Sequence, residues 1–218
     1  MRLGNVRGGA RMSGPPTAMI DTGHAFVLID YRTGRTELHS SMPAEHDGPV
    51  VRLDHRRRSW GTEEASTVLA SQPARGLVWR VLCIPAIAAT AAVLYCGPRR
   101  RRMRWLIALA RLGRGLSPAR TQHVHAAVTA VRAVSTNLPG RWACLEQSVA
   151  AALLLALVGR RAEWRHGVAS DPVRLHAWIV GPDGRPVGEG PDIAAFTAVL
   201  TPDGLATPVR GFETEKTL

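Results

Sequence analysis

The segment from Cys144 to Leu157 constrains this chain more than any other. It reads Cys-Leu-Glu-Gln-Ser-Val-Ala-Ala-Ala-Leu-Leu-Leu-Ala-Leu and carries a single charge, Glu146. Alanine and leucine on nearly every face give a helix with no polar side to turn to water, so it must lie inside a core. Gly159, followed by Arg160 and Arg161, is what a helix C-terminus needs, a residue free to reverse the chain and cations near the last carbonyls. The residues beyond that helix are β-prone: a strand around Trp164 to Ala169, then a hairpin from Arg174 to about Glu189 turning at Gly181-Pro182-Asp183-Gly184. Upstream, Arg104 to Leu112 alternates basic and apolar residues as an amphipathic helix. Ser117-Pro118 predicts the start of another helix, with Ser117 as N-cap, running to about Ser135 on Val124, Ala127, Val128 and Val131. Helices, then a buried helix, then antiparallel strands make an α+β layout.

The N-terminal third is less defined. Residues 1–20 read as a disordered leader, with frequent Gly and Pro and no period. Ala25 to His39 predicts a β-hairpin, two short runs joined around Thr33-Gly34. Ser40 to Arg75 is polar, with a short helix predicted around Glu63 to Ala70 capped by Thr62. Val81 to Cys96 is uncharged and apolar between Arg80 and Arg99-Arg100-Arg101-Arg102. It is shorter than the roughly 20 residues that span a bilayer as a helix, and Pro85 weakens a regular helix there. A packed helix or a peripheral membrane contact is the expectation, rather than a span.

With 28 Lys+Arg, almost all arginine, against 17 Asp+Glu, the 218-residue chain carries +11. That excess suits an acidic partner, and equally an arginine-rich proteome, so charge alone selects no function. Three cysteines, Cys83, Cys96 and Cys144, form no disulfide framework and no zinc pattern. A reducing cytoplasmic compartment is the simpler expectation. The first 18 residues lack the apolar core of a secretory signal. No nucleic-acid motif accompanies the basic runs at Arg56-Arg57-Arg58 and Arg99 to Arg104, so no nucleic-acid partner is expected.

Chemistry points to Cys144. The reactive form of cysteine is the thiolate, which a helix N-terminus stabilises, and Arg141 adds positive charge nearby. His176, in Leu175-His176-Ala177-Trp178-Ile179, can form the ion pair and protonate a leaving amine. Cysteine, histidine and an orienting acid in this order build a cysteine-protease or transglutaminase-like triad. If Pro182-Asp183 is a two-residue loop, Trp178 faces Val187 and His176 faces Glu189, at about 5 Å between Cβ atoms. Pro-Asp-Gly also suits a type I turn with a G1 bulge, which sets Glu189 opposite Ala177. Glu189 is the expected third member. Asp183, at the turn, is roughly 23 Å away along the strand. Cys83 and Cys96 read as structural, His123 and His125 as solvated, and His24, His39, His46, His55 and His166 as unassigned.

Cys144-Leu145-Glu146-Gln147-Ser148-Val149-Ala150, Arg165-His166-Gly167-Val168, His176-Ala177-Trp178-Ile179 and Asp183-Gly184-Arg185-Pro186-Val187-Gly188-Glu189 together resemble the lasso peptide biosynthesis B2 proteins. These are leader peptidases with a transglutaminase-like/papain-like cysteine protease core. The resemblance covers roughly Arg80 to Pro208 and is most specific in the HAW and DGRPVGE pieces. It implies Cys144 as nucleophile, His176 as general acid/base and Glu189 as orienting acid, with no metal and no cofactor. It implies a ribosomally made lasso precursor peptide as substrate. The implied partners are a leader-binding winged-helix protein or module and an ATP-dependent cyclase that closes the released core. The turn Gly181 to Gly184 is a residue longer than the family's hairpin, and the N-terminal extension is longer than in standalone members. The Phe26 to Leu38 hairpin is similar to the opening of the family's leader-binding module, yet the three helices that should come after it are not evident. The resulting organisation is a disordered leader at 1–20, a degenerate hairpin module or poorly structured extension at 21–75, a cysteine peptidase domain at 76–212 and a tail at 213–218.

Overall fold

The computed structural model describes residues 17–43, 46, 50–53, 77–140, 142–170 and 172–206. The helix expected around Glu63 to Ala70 and the Arg56-Arg57-Arg58 run lie outside them, as does Arg141.

The described residues begin with a four-stranded sheet. Its strands are β1 (Thr17–Asp21), β2 (Phe26–Asp30), β3 (Arg35–His39) and β4 (Val50–Arg52), in the order β3-β2-β1-β4. The β2–β3 hairpin lies where the apolar run and the Thr-Gly turn put it. The Asp30 carboxylate accepts the Arg32 N–H and the Thr33 hydroxyl, each at 2.8 Å. Gly34 supplies the left-handed φ of +78° that brings the chain back. Strand β1 overlaps the stretch read as a disordered leader, and that reading does not hold from Thr17 to Ile20. Ala18, Met19 and Ile20 are fully buried, because β1 sits between β2 and the parallel strand β4.

Among the described residues, four α-helices come next. Helix α1 (Leu77–Cys96) is unbroken, although Pro85 lies inside it. Proline removes the hydrogen bond to the carbonyl of Val81, but both residues lie on the exposed face, so that carbonyl is not sealed in the core. A 3-10 turn (Arg99–Arg101) leads into α2 (Arg102–Ala110). Helix α3 (Thr121–Ser135) starts later than Ser117-Pro118 predicts. Residues 117–119 run beside Arg161 instead: the Arg161 N–H donates to the Ser117 carbonyl at 2.8 Å, and the Ala119 N–H to the Arg161 carbonyl at 3.0 Å. That tertiary bridge overrides the local helix signal.

Helix α4 (Cys144–Leu157) is the central element. Every residue from Ser148 to Leu155 is buried, and the helix packs against α1, α2, α3, β5 and β6. It closes with a Schellman motif: the Gly159 N–H reaches the Ala156 carbonyl at 3.0 Å and the Arg160 N–H the Leu155 carbonyl at 2.8 Å, with Gly159 at φ +74°. Strands β5 (Glu163–Ser170), β6 (Val173–Val180), β7 (Thr197–Thr201) and β8 (Gly204–Leu205) form a second sheet in the order β6-β5-β7-β8.

The two sheets belong to one core. Val27, Ile29, Tyr31 and Val51 join the same cluster of buried residues as α4 and β5. At the junction, Tyr31 Oη and His166 Nδ1 share a hydrogen bond of 3.0 Å, and the His166 ring stacks on Trp164. A side-chain carbon at Gly34 would lie 3.1 Å from Met103 Cβ. The first sheet thus seats directly on the helices and on β5.

Candidate active site

Cys144 is the first residue of α4. The residue before it, Ala143, is extended (φ −97°, ψ −175°), and its N–H is taken by Glu146 Oε2 at 3.0 Å, one half of a capping box. Alanine has no side-chain oxygen for the other half. No side chain therefore caps the first-turn N–H groups, which remain aimed outward beside the sulfur.

His176 comes from β6. Its Nε2 is 2.8 Å from Glu189 Oε2. The remaining ring nitrogen, Nδ1, is left for the Cys144 sulfur, whose charged form is favoured by His176 and by the Ala177 backbone N–H. The ring is held on both sides: it stacks on Trp178 (centroids 5.9 Å apart, planes at 13°) and meets Phe196 at 5.2 Å. Phe196 comes directly after a 3-10 turn (Pro191–Ala195) and lies under the Arg174 guanidinium.

Glu189 reaches His176 by a different route from the two-residue loop. The Gly184 N–H bonds to the Gly181 carbonyl at 2.9 Å and the Gly181 N–H to the Arg185 carbonyl at 2.8 Å, with Gly184 at φ +77°. This is the turn with a G1 bulge. Val180 then pairs with Pro186, and the Val187 N–H donates to the Ile179 carbonyl at 2.9 Å. Continued as a ladder, that register would set Glu189 opposite Ala177, so the expected facing of His176 by Glu189 is corrected. The ladder does not continue. Gly188 takes φ +73°, the chain leaves the sheet, and the carboxylate swings back to the imidazole.

Arg132 on α3 fixes that departure. One guanidinium nitrogen donates to the Gly188 carbonyl and the other lies 2.6 Å from Glu189 Oε1. The Glu189 side chain is only 4% exposed and that of Arg132 21%. Sequence reasoning did not single out Arg132, nor Phe196. The signal for Arg132 was its spacing: four residues after Val128, it places a cation beside an apolar helix face.

The electrostatics of the site are set by this packing. Burial pushes the Cys144 thiol up, but the hydrogen bond and charge of His176 and the Ala177 N–H outweigh it and hold the thiol below its ordinary value. Burial opposes charge on His176 as well, yet its bonds to Cys144 and Glu189 raise it to about 9. Glu189, also opposed by burial, is held below the usual carboxylate range by His176 and Arg132. His176, raised to about 9, carries the proton at neutral pH; it lies between a thiol shifted toward its thiolate form and a carboxylate backed by Arg132. His166 differs: burial, with the nearby His176 charge, lowers it to about 4, so it is a neutral packing residue. Cys83 is buried, its Sγ 3.0 Å from the Arg80 carbonyl, and Cys96 is exposed. Among the described residues no cluster of His, Cys, Asp and Glu could hold a metal ion.

Comparison with curated proteins and with solved structures gives no significant match. The family model for the Transglutaminase-like superfamily matches residues 86–201, from within α1 to the end of β7 and more than half of the chain. That span holds the helix bearing Cys144, the strand bearing His176 and the return segment bearing Glu189, so the chain belongs to the transglutaminase-like superfamily.

Proposed function

We propose that this protein is a cysteine peptidase that removes the leader from a ribosomally made lasso-type precursor peptide. One observation carries the hydrolytic part: a thiol at an uncapped helix N-terminus, paired with an imidazolium that Glu189 and Arg132 hold in its charged form. The Cys144 thiolate attacks the scissile carbonyl carbon, and the oxyanion accepts the Cys144 N–H at the start of α4. His176 gives its proton to the departing amine, the C–N bond breaks, and a thioester to Cys144 remains. Water, losing its proton to His176, attacks the thioester; the leader leaves with a free carboxylate and the thiol is restored. The assignment to a lasso precursor rests on the likeness of the CLEQSVA, HAW and DGRPVGE segments to the B2 proteins. In that setting the protein works in the cytoplasm with a leader-binding winged-helix protein and hands the freed core to an ATP-dependent cyclase.

The test is mass spectrometry of a lasso-type precursor peptide incubated with the protein, a leader-binding winged-helix partner and a Cys144→Ala control. A single cut at the leader–core junction, absent in the control, is expected. Cleavage that persists in Cys144→Ala removes the nucleophile from the mechanism. A Cys144-dependent product joined to an added amine would assign acyl transfer instead.

A further inference from the structure

Helix α1 presents two faces of opposite character. One is in the core: Cys83, Ala86, Ile87 and Thr90 are buried against α3 and α4. The other is apolar and open along the whole helix. Leu77, Val78, Val81 and Ile84 are between 55% and 76% exposed, and Pro85, Ala88, Ala92 and Tyr95 continue the stripe. A continuous apolar stripe of this length marks an interaction surface. Its ends are basic: Arg80 lies near the start, and Arg99, Arg100, Arg101 and Arg104 are exposed at the other end, beside half-exposed Trp105 and Tyr95.

We infer that this face docks on an anionic lipid surface, with α1 lying in the plane of the interface. Three features select a bilayer over other occupants. The stripe carries no acceptor or donor pattern beyond Tyr95, whose hydroxyl already donates to the Pro139 carbonyl. Arginines collect where headgroup phosphates would lie, and aromatic rings sit at the same level, the arrangement of interfacial anchors. The helix is long and apolar enough to cross a membrane by length and composition. Yet its buried face is built into the catalytic core, so it can only lie in the plane. The inference is independent of the reaction at Cys144. It does add a link, since Tyr95 ties the docking helix to the loop that leads into Cys144.

The experiment is co-sedimentation of the full chain with vesicles of phosphatidylglycerol and phosphatidylcholine, or of phosphatidylcholine alone. Binding to the anionic vesicles only is expected. Arg100→Gln/Arg101→Gln should weaken it about 25-fold, about fivefold for each basic residue near an anionic surface. Val81→Glu/Ile84→Glu, both at exposed positions, should weaken it about tenfold or more. Leu157→Glu, an exposed apolar residue on another helix, should bind as the parent does. A parent chain that stays in the supernatant would overturn the inference. So would a concentration-dependent dimer abolished by Val81→Glu/Ile84→Glu, since a second copy would then be the occupant.

Discussion

Replacing Glu189 by Gln tests the electrostatics of the site most directly. The amide has the same shape and keeps an oxygen for His176 Nε2–H, now at 2.8 Å from the carboxylate, so what changes is one unit of charge. A hydrogen bond to a charged partner contributes about 1.5–3 kcal/mol and a neutral one about 0.5–1.5 kcal/mol. The difference, about 1–1.5 kcal/mol, corresponds to about one pKa unit. The imidazolium, which titrates at about 9 in the parent, should then titrate at about 8. The sign comes from the charge: without the carboxylate, protonated His176 is less favoured, so the ion pair is lost at lower pH. Alkylation of Cys144 by iodoacetamide against pH, in a Cys96→Ser background because Cys96 is exposed, reads this as a downward shift of the upper inflection. An inflection that stays in place, or moves up, would refute the claim that Glu189 sustains the charge on His176.

Other outcomes are fixed by the same geometry. Arg132→Met strands the Glu189 carboxylate in a site where it is 4% exposed and should cost about 3 kcal/mol. Adding Glu189→Gln should recover about 1–2 kcal/mol of that in a urea-unfolding double-mutant cycle. Gly188→Ala forces a side chain into φ +73°, with its Cβ 2.5 Å from Arg132 Nη1; a loss of about 1–3 kcal/mol in thermal melts and a fall in cleavage rate are expected together. His166 is neutral in the folded chain, with a pKa of about 4 against 6.5 when unfolded. Below pH 6.5 the unfolded state gains a proton that the folded state refuses. Stability should therefore decline by about 3 kcal/mol as pH falls from 6.5 to 4. His166→Gln should flatten that slope in urea midpoints taken across the range.

Much of the site was legible because it rests on local patterns. The α4 boundaries come from an apolar run closed by Gly159, which puts Cys144 at the head of the helix. His176 was legible as a strand residue, but it lies in the middle of β6 and not at its start. The illegible remainder depends on contacts distant in the chain. Pro182-Asp183-Gly184 is compatible with both hairpin registers, and no residue pattern announces that Gly188 will take a positive φ; that conformation is held by Arg132, far back on α3. Ser117-Pro118 carries a sound helix-start signal, yet Arg161 draws the segment into a bridge. Strand β1 has only five residues, and its burial depends on a parallel partner beginning at Val50. His166 has no partner until Tyr31 reaches it from the first sheet.

The G1 bulge and the turn at Gly188 separate two properties that an uninterrupted hairpin would tie together. In a continuous ladder, each residue added at the tip would slide the acid along β6 and flip it to the other face of the sheet. Here Glu189 is anchored from α3, beyond the point where pairing ends, so hairpin length and the placement of the acid are decoupled. A change of one residue in the length of the tip is then a neutral change to the chemistry. The position at which this chain has no such tolerance is Gly188, where a single dihedral angle sets the aim of the carboxylate.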